Sequence, residues 1–457
     1  MEHAYVTTSI TYSFAAILVL MVVCLALEEK LHAKKSLIVG VFAVTSLLAA
    51  SILGLIPFGD VILPGGHNIH MPVYIEAVDW EVIAIIIGSS LFVDVTSRSG
   101  LFTWIAIKLT KASKGDPLAL LWYYGMMTVV FSAVLNNVTA MIIVGSLTGV
   151  SLSKLGRNDK LLGFLLIEGL LTNIGGLLTL ISSVPNIIIG NAAGISFVKF
   201  FLVASPFVVV ATVATLFLGA KLFGVQRLAN ETEQQAALTL IAGFDENDGI
   251  KSRNFFYFSG FILLAFIVAI ATASITPVIK ELGIGFVAMS FAVIMLARFR
   301  SEVDDFYKSI DWDLIIFFMS LFVVINVMEH AQVLDLIGKG LSWIIGDGAS
   351  ALGTGALLWT SAIFSSVTDN IPLAAMLAKI LVAQGTASDS ALWWAVVFGA
   401  NLGGNITPIG SASTLVAVTI IHKYKLSLSF GEFVIKAIPF ALMQLVLASV
   451  YVLLFLH

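Results

Sequence analysis

Apolar segments long enough to cross a bilayer follow one another along most of the chain, and polar breaks interrupt four of them near their middles. Uninterrupted runs lie near residues 10–27, 36–56, 80–97, 203–223, 255–275, 283–298, 312–328 and 437–456. Each is close to the roughly 20 apolar residues that a helix needs to span hydrocarbon. The runs at 161–193 and 391–421 predict spans that break midway, where glycine pairs and hydroxyl residues replace the apolar pattern. The runs at 117–153 and 352–385 read as re-entrant hairpins with asparagine at the tip. Ahead of each hairpin, LFTWIAIKLTKASK at 101–114 and LDLIGKGLSWIIG at 334–346 predict amphipathic helices lying in the interface.

The breaks occur twice. FSAVLNNVTAM at 131–141 matches FSSVTDNIPLA at 364–374, and TNIGGLLTLISS at 172–183 matches ANLGGNITPIGS at 400–411. In register, Asn136 falls on Asp369, Asn137 on Asn370, Asn173 on Asn401, Gly175 and Gly176 on Gly403 and Gly404, and Thr179 on Thr407. Upstream, DWEV at 79–82 and SLFV at 90–93 pair with DWDL at 311–314 and SLFV at 320–323. A repeat of this length predicts a molecule built from two like halves. Glycine-rich breaks at equivalent places in both halves point to the binding site of a transporter.

Charge adds an orientation. With the hairpins treated as re-entrant, twenty of the twenty-four Lys and Arg residues fall on one side, and only Lys199, Lys280, Lys339 and Lys379 fall on the other. The crowded side is then cytoplasmic, with both termini outside. Each half has five spans plus one hairpin, so the halves enter the membrane in opposite directions as inverted repeats. The polar stretch at 224–254 predicts a solvated cytoplasmic loop joining them. The fold class is therefore an all-α integral membrane protein. Its composition agrees, at 59% hydrophobic and 11% charged, far more apolar than a soluble domain. The single cysteine, Cys24, excludes an intrachain disulfide and any multi-thiolate metal site.

Backbone that leaves a helix inside hydrocarbon must be shielded by protein or line a watery cavity. The four breaks, Asn136-Asn137, Asn173 to Gly176, Asp369-Asn370 and Asn401 to Gly404, are expected to meet at the midplane and offer free helix ends. Candidate substrate ligands are Asn136, Asn137, Thr139, Asn173, Gly175, Gly176, Thr179, Asn370, Asn401, Gly403, Gly404, Thr407 and Ser411. Ionisable groups inside a membrane are costly and usually functional. Asp369 at the second hairpin tip and Glu168 one turn before the Asn173 break are thus candidate proton carriers; Asp369 also reads as a helix cap or a sodium ligand. Asp94 and Arg98 read as a surface pair spaced i,i+4. No P-loop, GxSxG or HExxH motif occurs, so the chain reads as a carrier and not an enzyme, with no cofactor, no metal site and no nucleic-acid partner.

These motifs resemble the ion transporter superfamily, which includes the ArsB arsenite permeases, the melanosomal P protein, NhaD sodium/proton antiporters and divalent-anion/sodium symporters. SAVLNNVTAM and TNIGGLLTLISSVPNIII are similar to the P-protein branch, whose pattern has Asp in both hairpin tips where this chain has Asn136 in the first. SSVTDNIP is similar to a pattern shared by the P-protein and NhaD branches. NITPIGSASTL at 405–415 is similar to the ArsB branch. The resemblance implies an elevator in the cytoplasmic membrane, often a homodimer, with an associated soluble ATPase left open. Scaffold spans would occupy about 1–115 and 255–350, and transport elements about 116–223 and 351–457. Within the superfamily the expected function is proton-coupled efflux of arsenite and antimonite, an antiport conferring arsenical resistance. The alternatives are a sodium/proton antiporter and a proton- or sodium-coupled carrier of small anions.

Overall fold

The computed structural model describes residues 6–56, 60–62, 68–70, 72–308, 310–346, 350–368 and 370–456. The first half comprises α1 (Thr8–Ala26), α2 (Glu28–Leu31), α3 (Lys35–Ile52), α4 (Val73–Glu76), α5 (Trp80–Ser97), α6 (Leu101–Ala112), α7 (Pro117–Val134), α8 (Asn137–Lys154), α9 (Leu161–Gly176), α10 (Val184–Ala193) and α11 (Phe197–Leu222). Two short strands, β1 (Asp60–Ile62) and β2 (Asn68–His70), pair antiparallel between α3 and α4. After α12 (Glu231–Ala242), the second half comprises α13 (Arg253–Thr272), α14 (Pro277–Arg298), α15 (Val303–Lys308), α16 (Trp312–His330), α17 (Val333–Ile345), α18 (Ala351–Val367), α19 (Asn370–Ala383), α20 (Ala391–Gly403), α21 (Ala412–Lys423) and α22 (Phe430–Tyr451).

Local chemistry sets these boundaries in the same way in both halves. Asp79 caps α5 by accepting from the amides of Glu81 and Val82, and Asp311 caps α16 by accepting from Leu314. Ser196 and Ser429 cap α11 and α22, and Pro206 and Pro439 lie at the same depth inside them. Among the described residues, nine helices are long and apolar enough to cross a membrane: α1, α3, α5, α7, α11, α13, α14, α16 and α22 with its extension to Leu456. The chain is therefore a multi-pass membrane protein. Eight of the nine match expected uninterrupted spans. The ninth, α7, is the expected first hairpin arm and has 18 residues.

The packing follows the repeat. α5 lies against α14 and α3 against α16; α7 lies against α9 and α18 against α20; α8 lies against α21 and α19 against α10. Matching the two halves in order turns each of these contacts into its partner in the pair. α9 is buried from Gly163 to Gly176, and α20 along its whole length. Helices apolar on every side belong inside the bundle, so these two form the centre of the core. Phe201, Val209 and Phe217 of α11 and Phe261 and Leu264 of α13 face outward, as suits contact with lipid tails.

Two expectations change in detail. The span expected to begin at residue 283 starts at Pro277, and Gly283 (φ 80°, ψ 167°) interrupts it. Glu81 of α5 accepts from the amide of Ile284 at 3.0 Å and so caps the helix where it resumes. The linker is not a plain solvated loop. Its Glu- and Ala-rich ETEQQAALTLIA forms α12, in keeping with good intrinsic propensity and acidic residues in the first turn. The linker also binds the first half. Glu246 pairs with Lys108 at 2.9 Å and with Lys111, which lowers its carboxyl from the usual 4.5 to about 2. Lys154 sits 4.8 Å over the Phe244 ring. The expected Asp94–Arg98 pair forms at 3.1 Å.

Candidate functional site

The first hairpin turns where Leu135 and Asn136 leave helical geometry. Asn136 then caps α8 by accepting from the amide of Thr139 at 2.8 Å. At the second tip α19 begins at Asn370; Asp369 lies outside the described residues. The broken spans differ from expectation. Asn173, Gly175 and Gly176 are still helical, as are Asn401 and Gly403. The chain unwinds only afterwards, across 177–183 and 404–411, and α10 and α21 start at Val184 and Ala412.

The glycines therefore serve close approach rather than unusual backbone. None of Gly175, Gly176, Gly403 and Gly404 has positive φ. A Cβ on Gly175 would lie 2.6 Å from the Val129 carbonyl oxygen, and one on Gly403 would lie 2.3 Å from that of Ala362. The hairpin arms α7 and α18 press directly on these helices. Hydroxyl groups reinforce the contact in matched pairs. Ser132 donates to the Thr172 carbonyl and Ser365 to that of Ala400. Thr179 donates to the Ala133 carbonyl at 2.6 Å, and Thr407 to that of Ser366. Thr179 and Thr407 thus fasten the unwound segments to the hairpins, and neither lines the cavity between them.

A cavity of about 280 Å³ opens between the hairpin tips and the unwound segments. Asn136, Asn137, Thr139, Asn370 and Ser411 line it, so the structure brings these five sequence candidates together. Ser183, Ser413, Ser89 and Ser90 add hydroxyl groups, and the exposed Asp311 stands at its rim. Among the described lining residues there is no Lys, Arg or His. The first turns of α8, α10, α19 and α21 all contribute to the wall. Each brings backbone N–H groups that have no partner within their helix, and the positive end of a helix dipole.

Asn173 and Asn401 stand behind this wall, fully buried, and each reaches across to the other half. Ser411 and Ser413 donate to Asn173 Oδ1 at 2.9 and 3.1 Å, and Ser183 donates to Asn401 Oδ1 at 2.9 Å. Asn137 Nδ2 reaches Asn173 Oδ1 at 3.4 Å. Asn186, Asn405 and Gln444, all fully buried, complete the network, although the sequence reading did not single them out. Glu168 is elsewhere, fully buried in α9 and away from the cavity lining. Thr148 donates to its Oε1 at 2.6 Å, and Oε2 has no partner among the described residues.

Broken helices around a cavity with amide and hydroxyl side chains in its wall, inside a bundle of spanning helices, define a secondary transporter. Residues 22–399 match the model of the CitMHS family, described as citrate transporter, and the chain belongs to that family. It is 30% identical to the 46 kDa membrane protein of Mycobacterium leprae, over 82% of this chain and 86% of that one. It is 24% identical to the mouse P protein over 90% of its own length, spanning 58% of that longer protein. The fold resembles the YdaH transporter of Alcanivorax borkumensis, with TM-score 0.61 and 14% identity, covering 92% of this chain and 98% of the other. The superfamily expected from the motifs holds; the family within it is the citrate transporter family, and the match to an arsenite permease is not borne out at that finer level.

Proposed function

We propose that this transporter carries a small polyoxygen anion of the citrate kind, driven by a proton or sodium gradient. The convergence of four helix N-termini on the cavity supports this reading. Each is equivalent to about half a positive charge and offers donors aimed at a carboxylate. Half-helix N-termini at a midplane site are a recurring solution for anionic substrates that need no fixed cation. The family description agrees in substrate class.

A second reading, efflux of arsenite or antimonite as neutral hydroxides, draws on the absence of Lys, Arg and His from the described lining. Amides and hydroxyls would suffice for such a cargo. Reconstituted protein under imposed proton or sodium gradients separates the readings. Citrate uptake is the expected result; movement of arsenite without citrate selects the second reading. Sodium exchange without either solute selects a sodium/proton antiporter.

The halves act in this reading as inverted repeats of an elevator in the cytoplasmic membrane, in a homodimer with both termini outside. The helices before each hairpin form the scaffold, and the hairpins, broken spans and closing helices move. The exchanged packing pairs and the Lys and Arg distribution support the arrangement. Cysteines at the exposed positions Asn158 and Ser388 test it. In cells, Asn158→Cys should be labelled by an impermeant maleimide only from the cytoplasm, and Ser388→Cys only from outside. Labelling of both from one compartment would overturn the inverted arrangement.

A further inference from the structure

Behind the cavity wall, buried polar side chains form one hydrogen-bonded line from α11 to the serines of α21. The Leu170 carbonyl can only accept, so the Asn405 nitrogen faces it at 3.2 Å, and its second N–H reaches Gln444 Oε1 at 2.8 Å. Gln444 donates in turn to Thr215 Oγ1 at 3.0 Å. With its nitrogen committed, Asn405 offers only Oδ1 to Asn173, whose Nδ2 donates to it at 2.8 Å. Asn173 therefore turns Oδ1 toward Ser411 and Ser413, which both donate to it and lie 3.0 Å apart. Both serine hydrogens are held within the protein, and at Ser411, which keeps a little exposure while Ser413 is fully buried, the cavity meets an oxygen lone pair.

We propose that Asn405 and Gln444 are positioning residues that lock this polarity. They make the Ser411–Ser413 wall a hydrogen-bond acceptor that selects solutes bearing a hydroxyl beside their carboxylates. The proposal rests on the anion-carrier reading and adds a requirement to it. The helix ends bind the carboxylates, and the serines read a donor on the same molecule. The position equivalent to Asn405 is Leu177, so the two halves set this polarity with different residues. In the first half Asn186 does the corresponding work. Its nitrogen faces the carbonyls of Gly176 and Thr179, and its Oδ1 accepts from Asn401, which turns its own Oδ1 to Ser183.

The test compares citrate with propane-1,2,3-tricarboxylate, which lacks the hydroxyl, in proteoliposomes holding the full chain. The unmodified protein should prefer citrate by roughly tenfold, the worth of about one well-made hydrogen bond. Gln444→Met and Asn405→Leu should bring that ratio close to one by raising the KM for citrate while kcat is kept. Gln444→Glu, which preserves the acceptor for Asn405, should retain the preference. An unmodified protein indifferent to the hydroxyl, or variants that keep the preference, would overturn the proposal. If neither tricarboxylate moves, the anion-carrier reading fails, and hydrogen exchange in the unliganded protein decides the positioning role. Faster exchange across 404–413 in Gln444→Met but not in Gln444→Glu supports it, and unchanged exchange in both rejects it.

Discussion

Valine in place of Gly403 is expected to bring transport to background and to lower the melting temperature of the solubilised protein. The added Cβ alone would sit 2.3 Å from the Ala362 carbonyl oxygen and 2.7 Å from its Cα. Both are backbone atoms of α18 and cannot rotate aside, so α18 and α20 must separate. Overpacking a core usually costs about 1–3 kcal/mol, and a clash with rigid backbone belongs at or above the upper end. Gly175 faces the same geometry against Val129 and should behave alike. Gly260 in α13 has nothing within 4 Å of its would-be Cβ, so Gly260→Val should transport normally. Gly176 is the informative intermediate. The atoms nearest its Cβ would belong to the Asn137 side-chain amide, from 2.6 Å, which can swing away. Gly176→Ala should therefore keep its melting temperature and lose substrate affinity. Equal tolerance at Gly403 and Gly260 would mean that the hairpin arms do not hold the contact seen here.

The duplicated motifs carried most of the architecture because each break is a cluster of residues that no apolar helix would choose. The hairpins, the broken spans and the amphipathic α6 and α17 all appear within a few residues of their expected places. The site was legible only in part. Asparagine and paired glycine suggest unwinding at 173–176 and 401–404, yet the helices run on to Gly176 and Gly403 and the chain opens only from 177 and 404. Burial explains the difference: glycine with a hydroxyl-bearing neighbour lets two helices touch, and a touching helix keeps its own hydrogen bonds. Gln444 and Thr215 give no signal in the sequence, because each is one of several scattered polar residues in a mostly apolar span, a pattern indistinguishable from ordinary packing. Asn405 was hidden by the repeat itself, since its partner position holds Leu177. The signal that would have found it is that mismatch between halves.

The same mismatch guides the search for the coupling group. Glu168 is expected to carry the coupling proton, and Glu168→Gln should reduce gradient-driven accumulation to background while leaving exchange of substrate for substrate intact. Its position in the second half is Val396, so packing at the centre of the core is satisfied by an apolar side chain. The carboxylic acid nevertheless occupies a fully buried place in α9, with Thr148 donating to one oxygen and no described partner for the other. Leaving a buried polar atom unmet costs about 1–3 kcal/mol or more, and intramembrane ionisable groups that persist at such a cost are functional by default. Glutamine keeps the shape and the acceptor for Thr148, so a loss would report titration and not collapse. Asp369 competes for the role on sequence grounds, its partner position being the non-titrating Asn136. Asp369→Asn measured beside Glu168→Gln decides between them. Loss of accumulation only in Asp369→Asn moves the proton to the hairpin tip, loss in both makes the two carboxyls one relay, and normal accumulation in both removes proton coupling through either residue.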